Sequence, residues 1–300
     1  MRFVTPSYYK QFACIADRCR HSCCVGWDVV VDDNTAAYYR TVGGALGERL
    51  TACLTTDTDG DTCFAMREDG RCPFLNDRGL CDIIRELGEQ GLCQICDDHP
   101  RFYRVFSDRE EAGLGLCCEA AAELILRQAD NVTLVGDSEE TPTADEAAFF
   151  KARDALFAIA QDRSRSPIER EAELLERVGR DPAPLSDKCW RDIYEPLERL
   201  DESWTVSLAN LTATKPSALY VPDTAFEQLT CYFLYRHLDP AQTPDERRAV
   251  VAFAVRSTQL LRRLCEVHGG TLDALLDLAR QYSAEVEYDT DNVDILCNTF

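Results

Sequence analysis

The sequence lacks the features that would assign it to a membrane protein, a nucleic-acid-binding protein or a dinucleotide-binding enzyme. No apolar run approaches the about 20 residues that a membrane-spanning helix needs, so we expect no membrane partner. The chain carries 32 basic and 53 acidic side chains, a net charge of −21, and such a surface repels nucleic-acid phosphates. No G-x-G-x-x-G segment leads from a predicted strand into a helix. The acidic charge could attract a basic, lysine-bearing protein segment, although solubility alone also explains it.

A secretion signal is also not recognised. Residues 1–12, MRFVTPSYYKQF, contain no apolar core and no small-residue cleavage site. We therefore expect a cytoplasmic location with a reducing environment. Cysteines in such a location serve more often as metal ligands or redox groups than as disulfide partners.

Cysteine, in contrast, is abundant and unevenly distributed. Twelve of the 16 cysteines fall within the first 118 residues. Residues 12–24 read FACIADRCRHSCC, and further thiols follow in CPFL, CDII, CQIC and the Cys117–Cys118 pair. Packing alone does not call for the spacing C-x4-C-x3-CC, which indicates a metal-binding or cluster-binding core. The remaining four cysteines stand beside apolar residues at helical positions and are interpreted as small buried side chains: Cys189, Cys231, Cys265 and Cys297.

Three kinds of thiol chemistry fit this distribution. An iron–sulfur cluster takes four thiolates, some contiguous in sequence and others from distant loops. Structural zinc also takes four ligands, usually from two C-x2-C knuckles, whereas only one such pair occurs here, at Cys93 and Cys96. Redox chemistry at that pair would need a βαβ setting, which the sequence does not indicate. The pattern favours a four-iron cluster, with zinc and thiol redox chemistry as alternatives.

The hydrophobic pattern predicts a mainly α fold. A cysteine-rich N-terminal region (1–130), with a small β-hairpin around a metal cluster, precedes a helical C-terminal region (144–300), and polar residues 131–143 form the linker. The hairpin should turn near residues 107–110, and a short helix should run over 81–87. Apolar stripes predict further helices around 149–159, 190–200 with an interruption at Pro196, 225–237, 250–264 and 272–279.

Several of these motifs occur together in one known family. They are FACIADRCRHSCCVGW, CPFL followed by CDI, C-x2-HPR, and a hairpin that ends in C-x-EAA, with YFLYRHL and YSAEVEYDTDNVDIL in the helical half. The combination resembles the flagellin lysine N-methylase family, which is related to a wider group of zinc- or iron-chelating cysteine-cluster proteins. The resemblance covers nearly the whole chain and is more specific in its N-terminal motifs.

The resemblance implies methylation of flagellin lysines with S-adenosylmethionine and a [4Fe–4S] cluster. Carried over by position, it implies metal ligands at eight cysteines: Cys14, Cys19, Cys23, Cys24, Cys72, Cys81, Cys96 and Cys117. Cys93 and Cys118 depart from the family pattern, and His99 stands where the family often has tyrosine.

Methyl transfer from a sulfonium needs a neutral amine. Deprotonating a lysine at pH 7 costs about 4–5 kcal/mol, which a base or phenol in a desolvating pocket can offset. Seven residues are candidates for this role: Asp97, Asp98, His99, Tyr103, Tyr232, Tyr235 and His237. Of these, Tyr232 and Tyr235 also fit helical core packing. Arg101 could hold a substrate or cofactor carboxylate, or simply pair with neighbouring aspartates.

Two further alternatives concern the reaction itself. The C-x3-C-x2-C signature of radical enzymes is absent, which favours polar displacement over radical methyl transfer. A non-enzymatic scaffold or chaperone for zinc or iron would explain the thiols and the acidity without any cofactor site.

Overall fold

A computed structural model describes residues 2–58, 60–136 and 141–300 of the chain. The described residues form two compact units: unit 1 comprises the residues up to Phe12 and those from Phe102 to Phe300, and unit 2 comprises Ala13–Arg101. Residues 137–140 of the predicted linker lie outside the described residues. The predicted division into 1–130 and 144–300 stays a prediction.

Six strands and thirteen α-helices occur in the described ranges. The strands are β1 Arg2–Pro6, β2 Leu54–Thr56, β3 Thr62–Phe64, β4 Arg101–Val105, β5 Arg109–Leu114 and β6 Leu134–Val135. The helices are α1 Asp33–Tyr39, α2 Gly44–Cys53, α3 Asp82–Leu87, α4 Gln94–Asp98, α5 Glu119–Leu126, α6 Ala144–Ala160, α7 Pro167–Arg177, α8 Asp187–Tyr194, α9 Glu202–Ala213, α10 Asp223–His237, α11 Pro244–Val267, α12 Leu272–Tyr282 and α13 Thr290–Thr299. No helix in these ranges has both the length and the apolar composition needed to cross a bilayer.

Unit 2 is built on a short β-ladder and four short helices. Strands β2 and β3 pair antiparallel, and the segment around Val29–Val31 extends this ladder through two backbone hydrogen bonds to β3. One carboxylate then joins two helices. Asp32 accepts the backbone N–H of Thr35 at the start of α1 and that of Gln94 at the start of α4, both at 3.0 Å. This shared cap fixes the position of the Cys93–Cys96 segment relative to α1.

The sheet of unit 1 has the order β4-β5-β1-β6. Strand β1 runs parallel to β5, with Val4 opposite Glu111, and antiparallel to β6. The predicted hairpin is confirmed as β4–β5, because the N–H of Phe106 donates to the carbonyl of Arg109 at 2.8 Å across the turn. Its strands belong to the same sheet as the N-terminal strand.

Helix α10 forms the centre of the helical part of unit 1. Its residues from Ala225 to Tyr235 are all buried, as expected for a helix surrounded by other elements. The predicted stripes are confirmed as α6, α10, α11 and α12, and α8 ends at Tyr194, before Pro196. The prediction of a mainly α fold is therefore confirmed, whereas the metal cluster within it stays a prediction. Five helices were not predicted: α2, α4, α7, α9 and α13.

A buried ion pair connects the sheet of unit 1 to helix α6. Glu111 of β5 accepts two hydrogen bonds from the guanidinium of Arg153, at 2.6 and 2.8 Å, and both side chains are at most 2% exposed. A second buried carboxylate, Glu227 of α10, accepts from Arg163 and Arg170. Buried charges are tolerated when they are paired in this way, and removing one partner is strongly destabilising.

We expect Glu111→Leu to lower the free energy of unfolding by about 3–5 kcal/mol, because it leaves Arg153 charged and unpaired. The double variant Glu111→Leu/Arg153→Met should recover most of that loss, because no charge then remains at the site. Urea unfolding followed by far-ultraviolet circular dichroism measures both.

The matched control is Glu123→Leu. It removes one of the two carboxylate partners of Arg127 at an exposed position and should change the stability by less than about 1 kcal/mol. A double variant as unstable as Glu111→Leu would contradict the role assigned to the pair.

Candidate functional site

The cysteines of unit 2 are brought together by backbone pairing between segments that are distant in sequence. The N–H of Cys72 donates to the carbonyl of Cys24 at 2.8 Å, next to an isolated bridge between Val25 and Arg71. Cys81 lies opposite Leu75 in a second bridge, and the N–H of Leu75 donates to the carbonyl of Cys72. The loops that carry Cys24, Cys72 and Cys81 are thus fixed to one another.

Cys93 and Cys96 complete this thiol group, which comprises Cys24, Cys72, Cys81, Cys93 and Cys96. All five belong to or pack against the apolar core of unit 2. The Cys93 thiol is buried and hydrogen-bonds that of Cys96, which lowers the pKa of Cys93 and raises that of Cys96. Cys93 had been interpreted as a departure from the family pattern. In the structure it lies as deep in the core as the cysteines that match the pattern.

Electrostatic interactions connect the thiols of this group. Burial raises the pKa of Cys72 to about 12, and the thiols of Cys24 and Cys81 act in the same direction. A hydrogen bond with Cys23 lowers the pKa of Cys24 to about 7. The hydrogen bond with Cys93 and burial raise the pKa of Cys96, and ionisation of Cys24 or Cys72 would raise it further. A soft metal ion or cluster would offset such repulsion, since it binds thiols as thiolates.

The other predicted ligands are not part of this apolar core, although Cys23 hydrogen-bonds Cys24 at its edge. Cys14 and Cys23 are exposed, and Cys19 is half-buried on a segment with short 3₁₀ turns. Cys117 lies in unit 1, where its thiol donates to the hydroxyl of Tyr288 at 3.1 Å and burial raises its pKa to about 11. Among the residues that the structure describes, no three His, Cys, Asp or Glu side chains are arranged to hold a metal ion. The eight-cysteine ligand set stays a prediction.

His99 and Arg101 follow the thiol group in the chain. Burial, and the charge of Arg101, lower the pKa of His99 to about 4, so its imidazole is neutral at pH 7. The ring of His99 lies 6.4 Å from that of Trp27. Arg101 donates to the carbonyl of Asp97 at 2.9 Å. This contact favours a structural role for Arg101 as a hydrogen-bond donor to its own segment. The binding of a cofactor carboxylate by Arg101 stays a prediction.

Unit 1 contains an open cleft of about 280 Å³ between the end of α10, strand β4 and the start of α13. Seven of its lining residues carry charged or aromatic side chains: Phe102, Tyr103, Arg104, Arg236, His237, Glu287 and Asp294. Charged groups of both signs and aromatic walls are what a small polar ligand needs for binding and orientation.

A buried carboxylate forms the base of this cleft. Glu287 ends a π-helical segment, Ser283–Glu287, and accepts hydrogen bonds from Tyr232 at 2.9 and 3.1 Å and from His237 at 2.7 Å. Arg236 lies 3.2 Å away. Burial acts to raise the pKa of Glu287, but the charge of Arg236 and the hydrogen bond from His237 outweigh it, so the pKa is lowered and the carboxylate stays charged.

The two arginines of the cleft differ in how many of their guanidinium nitrogens have hydrogen-bond partners. Arg104 contacts Asp239 at 2.9 Å and donates to the carbonyls of Tyr235 and Arg236 at the end of α10, so all its nitrogens have partners. Arg236 contacts Glu287 through Nε, and its guanidinium lies 4.8 Å from the ring centre of Phe102. Arg104 therefore holds the end of α10 in place, while Arg236 faces the cleft.

The three predicted catalytic tyrosines lie in different surroundings. Tyr103 lines the cleft and is 41% exposed, with its ring 6.2 Å from that of Phe3. Tyr232 is buried behind the cleft and bound to Glu287, and Tyr235 is buried with its hydroxyl on the carbonyl of Ala112. Burial raises the pKa of both buried phenols. Of the three, Tyr103 is the tyrosine that lines the cleft.

Sequence reasoning missed the roles of Glu287, Arg236 and Asp294. Glu287 lies in YSAEVEY and Arg236 in YFLYRHL, two motifs that were recognised only as part of the family resemblance. An acidic residue within an otherwise apolar, aromatic helical segment was the available signal, because such a charge is buried only with partners.

Comparisons with known proteins support the resemblance. The chain is 25% identical over 165 residues to a lysine-N-methylase of Salmonella choleraesuis and 24% identical over 159 residues to that of Salmonella typhimurium, each match covering 51% of this chain. It is 23% identical over 134 residues, 43% of this chain, to the flagellar biosynthetic protein FliU of Salmonella muenchen, of which 79% is covered. The matches cover 40% of the length of each lysine-N-methylase. No family model and no solved structure matches the chain.

The stability of the protein should depend on pH through His237. Burial lowers the pKa of this imidazole despite the hydrogen bond to Glu287, and the charges of Arg236 and Arg104 act in the same direction as burial. Below the unfolded pKa of about 6.5 the unfolded chain therefore binds a proton that the folded chain does not, and stability falls as pH decreases. One such group contributes up to about 1.4 kcal/mol per pH unit.

We expect His237→Gln to reduce the slope of unfolding free energy against pH between about pH 6.5 and 5. Urea unfolding at a series of pH values measures that slope in both proteins. An unchanged slope in the variant would show that His237 has the same pKa in the folded and the unfolded chain.

Proposed function

We propose that the protein is an S-adenosylmethionine-dependent lysine N-methyltransferase that acts on flagellin. The observation that carries this proposal is the similarity to proteins named lysine-N-methylase, with the flagellar protein FliU as a further relative. Because the matches cover 40% of the length of the two lysine-N-methylases, both activity and substrate are part of the proposal. The net charge of −21 suits a substrate segment that presents lysine.

The cleft of unit 1 is the proposed place of reaction. A lysine amine that enters it leaves bulk water, which favours the neutral form that a methyl acceptor requires. Tyr103 is the phenol best placed to orient that amine through a hydrogen bond, since it lines the cleft and is partly exposed, and the proton of the ammonium is released to water as the amine enters. Tyr232 is a positioning residue, because its hydroxyl binds Glu287 instead of facing the cleft. Polar displacement of the methyl group is the proposed route.

We propose further that the thiol group of unit 2 holds a [4Fe–4S] cluster, with zinc as the alternative. Its donors are chemically suited to either, since thiolates bind both iron–sulfur clusters and zinc. Cys24, Cys72, Cys81 and Cys96 are the proposed ligands, and Cys93 lies beside them through its hydrogen bond with Cys96. A cluster held by four thiolates would supply cross-linking between loops and an electron-holding centre, without an open iron site.

The thiol group also supports a second candidate function. Five neighbouring cysteines in one core would equally suit a protein that binds zinc or iron without catalysis. The two functions differ in whether S-adenosylmethionine is consumed, so the methylation assay separates them.

We expect the metal-replete protein to transfer methyl groups from S-adenosylmethionine to lysines of purified flagellin, and Tyr103→Phe to lower kcat by about 100-fold or more. Mass spectrometry of flagellin peptides measures both. The matched control is Tyr220→Phe, an exposed tyrosine away from the cleft, which should retain full activity. Absence of methylation by the unmodified protein would favour the metal-binding scaffold.

Anaerobically purified protein should contain about four irons and four sulfides per chain and absorb broadly near about 400 nm. Cys72→Ser and Cys96→Ser should each lose most of this iron, because each removes a proposed ligand. Cys231→Ser changes a buried cysteine of α10 in unit 1 and should keep the full iron content. Zinc in place of iron would identify the alternative metal, and variants that keep all their metal would contradict the ligand assignment.

A further inference from the structure

Arg236 has unused hydrogen-bonding capacity at the cleft. Its Nε lies 3.2 Å from Glu287, but within the described chain its two terminal nitrogens have no hydrogen-bond acceptor. The side chain is only 15% exposed, and its guanidinium is held between the rings of Phe102 at 4.8 Å and Tyr288 at 5.7 Å. A guanidinium fixed in this way presents a planar pair of donors, which matches the two oxygens of a carboxylate.

A carboxylate with no partner among the described residues lines the same cleft. Asp294 lies one turn into α13 and is exposed, and no hydrogen bond or ion pair engages its side chain in the described ranges. Thr290, one turn earlier on the same helix, also lines the cleft. The cleft thus offers the guanidinium of Arg236 as a hydrogen-bond donor and the carboxylate of Asp294 as an acceptor.

The remaining charged groups of the cleft do not compete for a ligand. The nitrogens of Arg104 are engaged by Asp239 and by backbone carbonyls, and Glu287 is surrounded by Tyr232 and His237. The two terminal nitrogens of Arg236 and the carboxylate of Asp294 are therefore left for a ligand that carries both an anionic and a cationic group.

We propose that this cleft binds an α-amino-acid head group, with its carboxylate on the terminal nitrogens of Arg236 and its ammonium on Asp294. The volume of about 280 Å³ suits such a group, and Phe102 and Tyr103 offer apolar surface to the chain that follows it. Two sources share this chemistry, the methionyl end of S-adenosylmethionine and a free amino acid such as methionine. The choice of S-adenosylmethionine rests on the proposed function, whereas the head-group chemistry rests on Arg236 and Asp294 alone.

Calorimetric titration of the full-length, metal-replete protein tests the proposal with three probes. S-adenosylhomocysteine carries the head group and the nucleoside, 5′-methylthioadenosine carries the nucleoside without the head group, and methionine carries the head group alone. We expect Asp294→Asn to weaken binding of S-adenosylhomocysteine by about 10-fold or more, through loss of a charge-assisted hydrogen bond. Binding of 5′-methylthioadenosine should be the same in both proteins.

The matched control is Asp291→Asn, which makes the same change of charge at an exposed position on α13 that does not line the cleft. It should bind all three probes as the unmodified protein does. Arg236→Lys keeps the charge but loses the two-pronged geometry and should weaken S-adenosylhomocysteine binding by a similar factor. Asp294 is exposed, so its variant decides the question even if the Arg236 variant fails to fold.

Each outcome separates this inference from the proposed function. Equal binding of S-adenosylhomocysteine by the Asp294 and Asp291 variants overturns the head-group site, while methylation of flagellin could still stand. If methionine binds, S-adenosylhomocysteine does not, and Asp294→Asn weakens the binding of methionine, the head-group site is supported. The ligand is then a free amino acid and not S-adenosylmethionine. A folded, metal-replete protein that binds none of the three probes overturns the head-group site.

Discussion

The burial of the Glu287 carboxylate is the constraint on which the architecture of the cleft depends. A carboxylate withdrawn from water is tolerated only when donors surround it. Here the donors come from the last turns of one helix, since Tyr232, Arg236 and His237 all lie on α10. Pairing with Glu287 therefore fixes the register between α10 and the segment before α13. The position of Arg236 in the cleft follows from this register.

Unit 2 meets a different physical requirement. It has few regular elements, and its described strands and helices are all short. Cysteines occupy core positions that would otherwise hold apolar side chains, and Cys72 and Cys93 are both buried there. Small units with limited apolar cores commonly need a cross-link or a metal in addition to packing. The thiol group is the part of unit 2 with the right chemistry to meet that need.

Local features of the fold were predictable from sequence, whereas long-range pairings were not. The end of α3 at Gly88, with φ of +80°, follows from glycine's access to the left-handed region, and α10 begins directly after Pro222. Helix α7 carried a readable signal in its Ser166–Glu169 capping box, although its apolar stripe was not recognised. The partners of Glu287 lie some fifty positions earlier in the chain, and no periodicity links them. Family motifs, in contrast, named four of the five cysteines of the thiol group, and burial beside Cys96 adds Cys93, which departs from the family pattern.

The position of unit 2 in the sequence determines how strongly the thiol group and the cleft can depend on each other. Strand β1 pairs with β5, so the N-terminal strand and the residues after Phe102 belong to one sheet, and unit 2 is an insertion between them. The entropy of closing an inserted loop grows only logarithmically with its length, by about 0.6 kcal/mol for each doubling. Removal of the proposed cluster from unit 2 should therefore weaken the β1–β5 pairing only slightly. The groups that form the cleft all come from unit 1, so the chemistry of the thiols and the binding properties of the cleft are separable by mutation, even though one chain carries both.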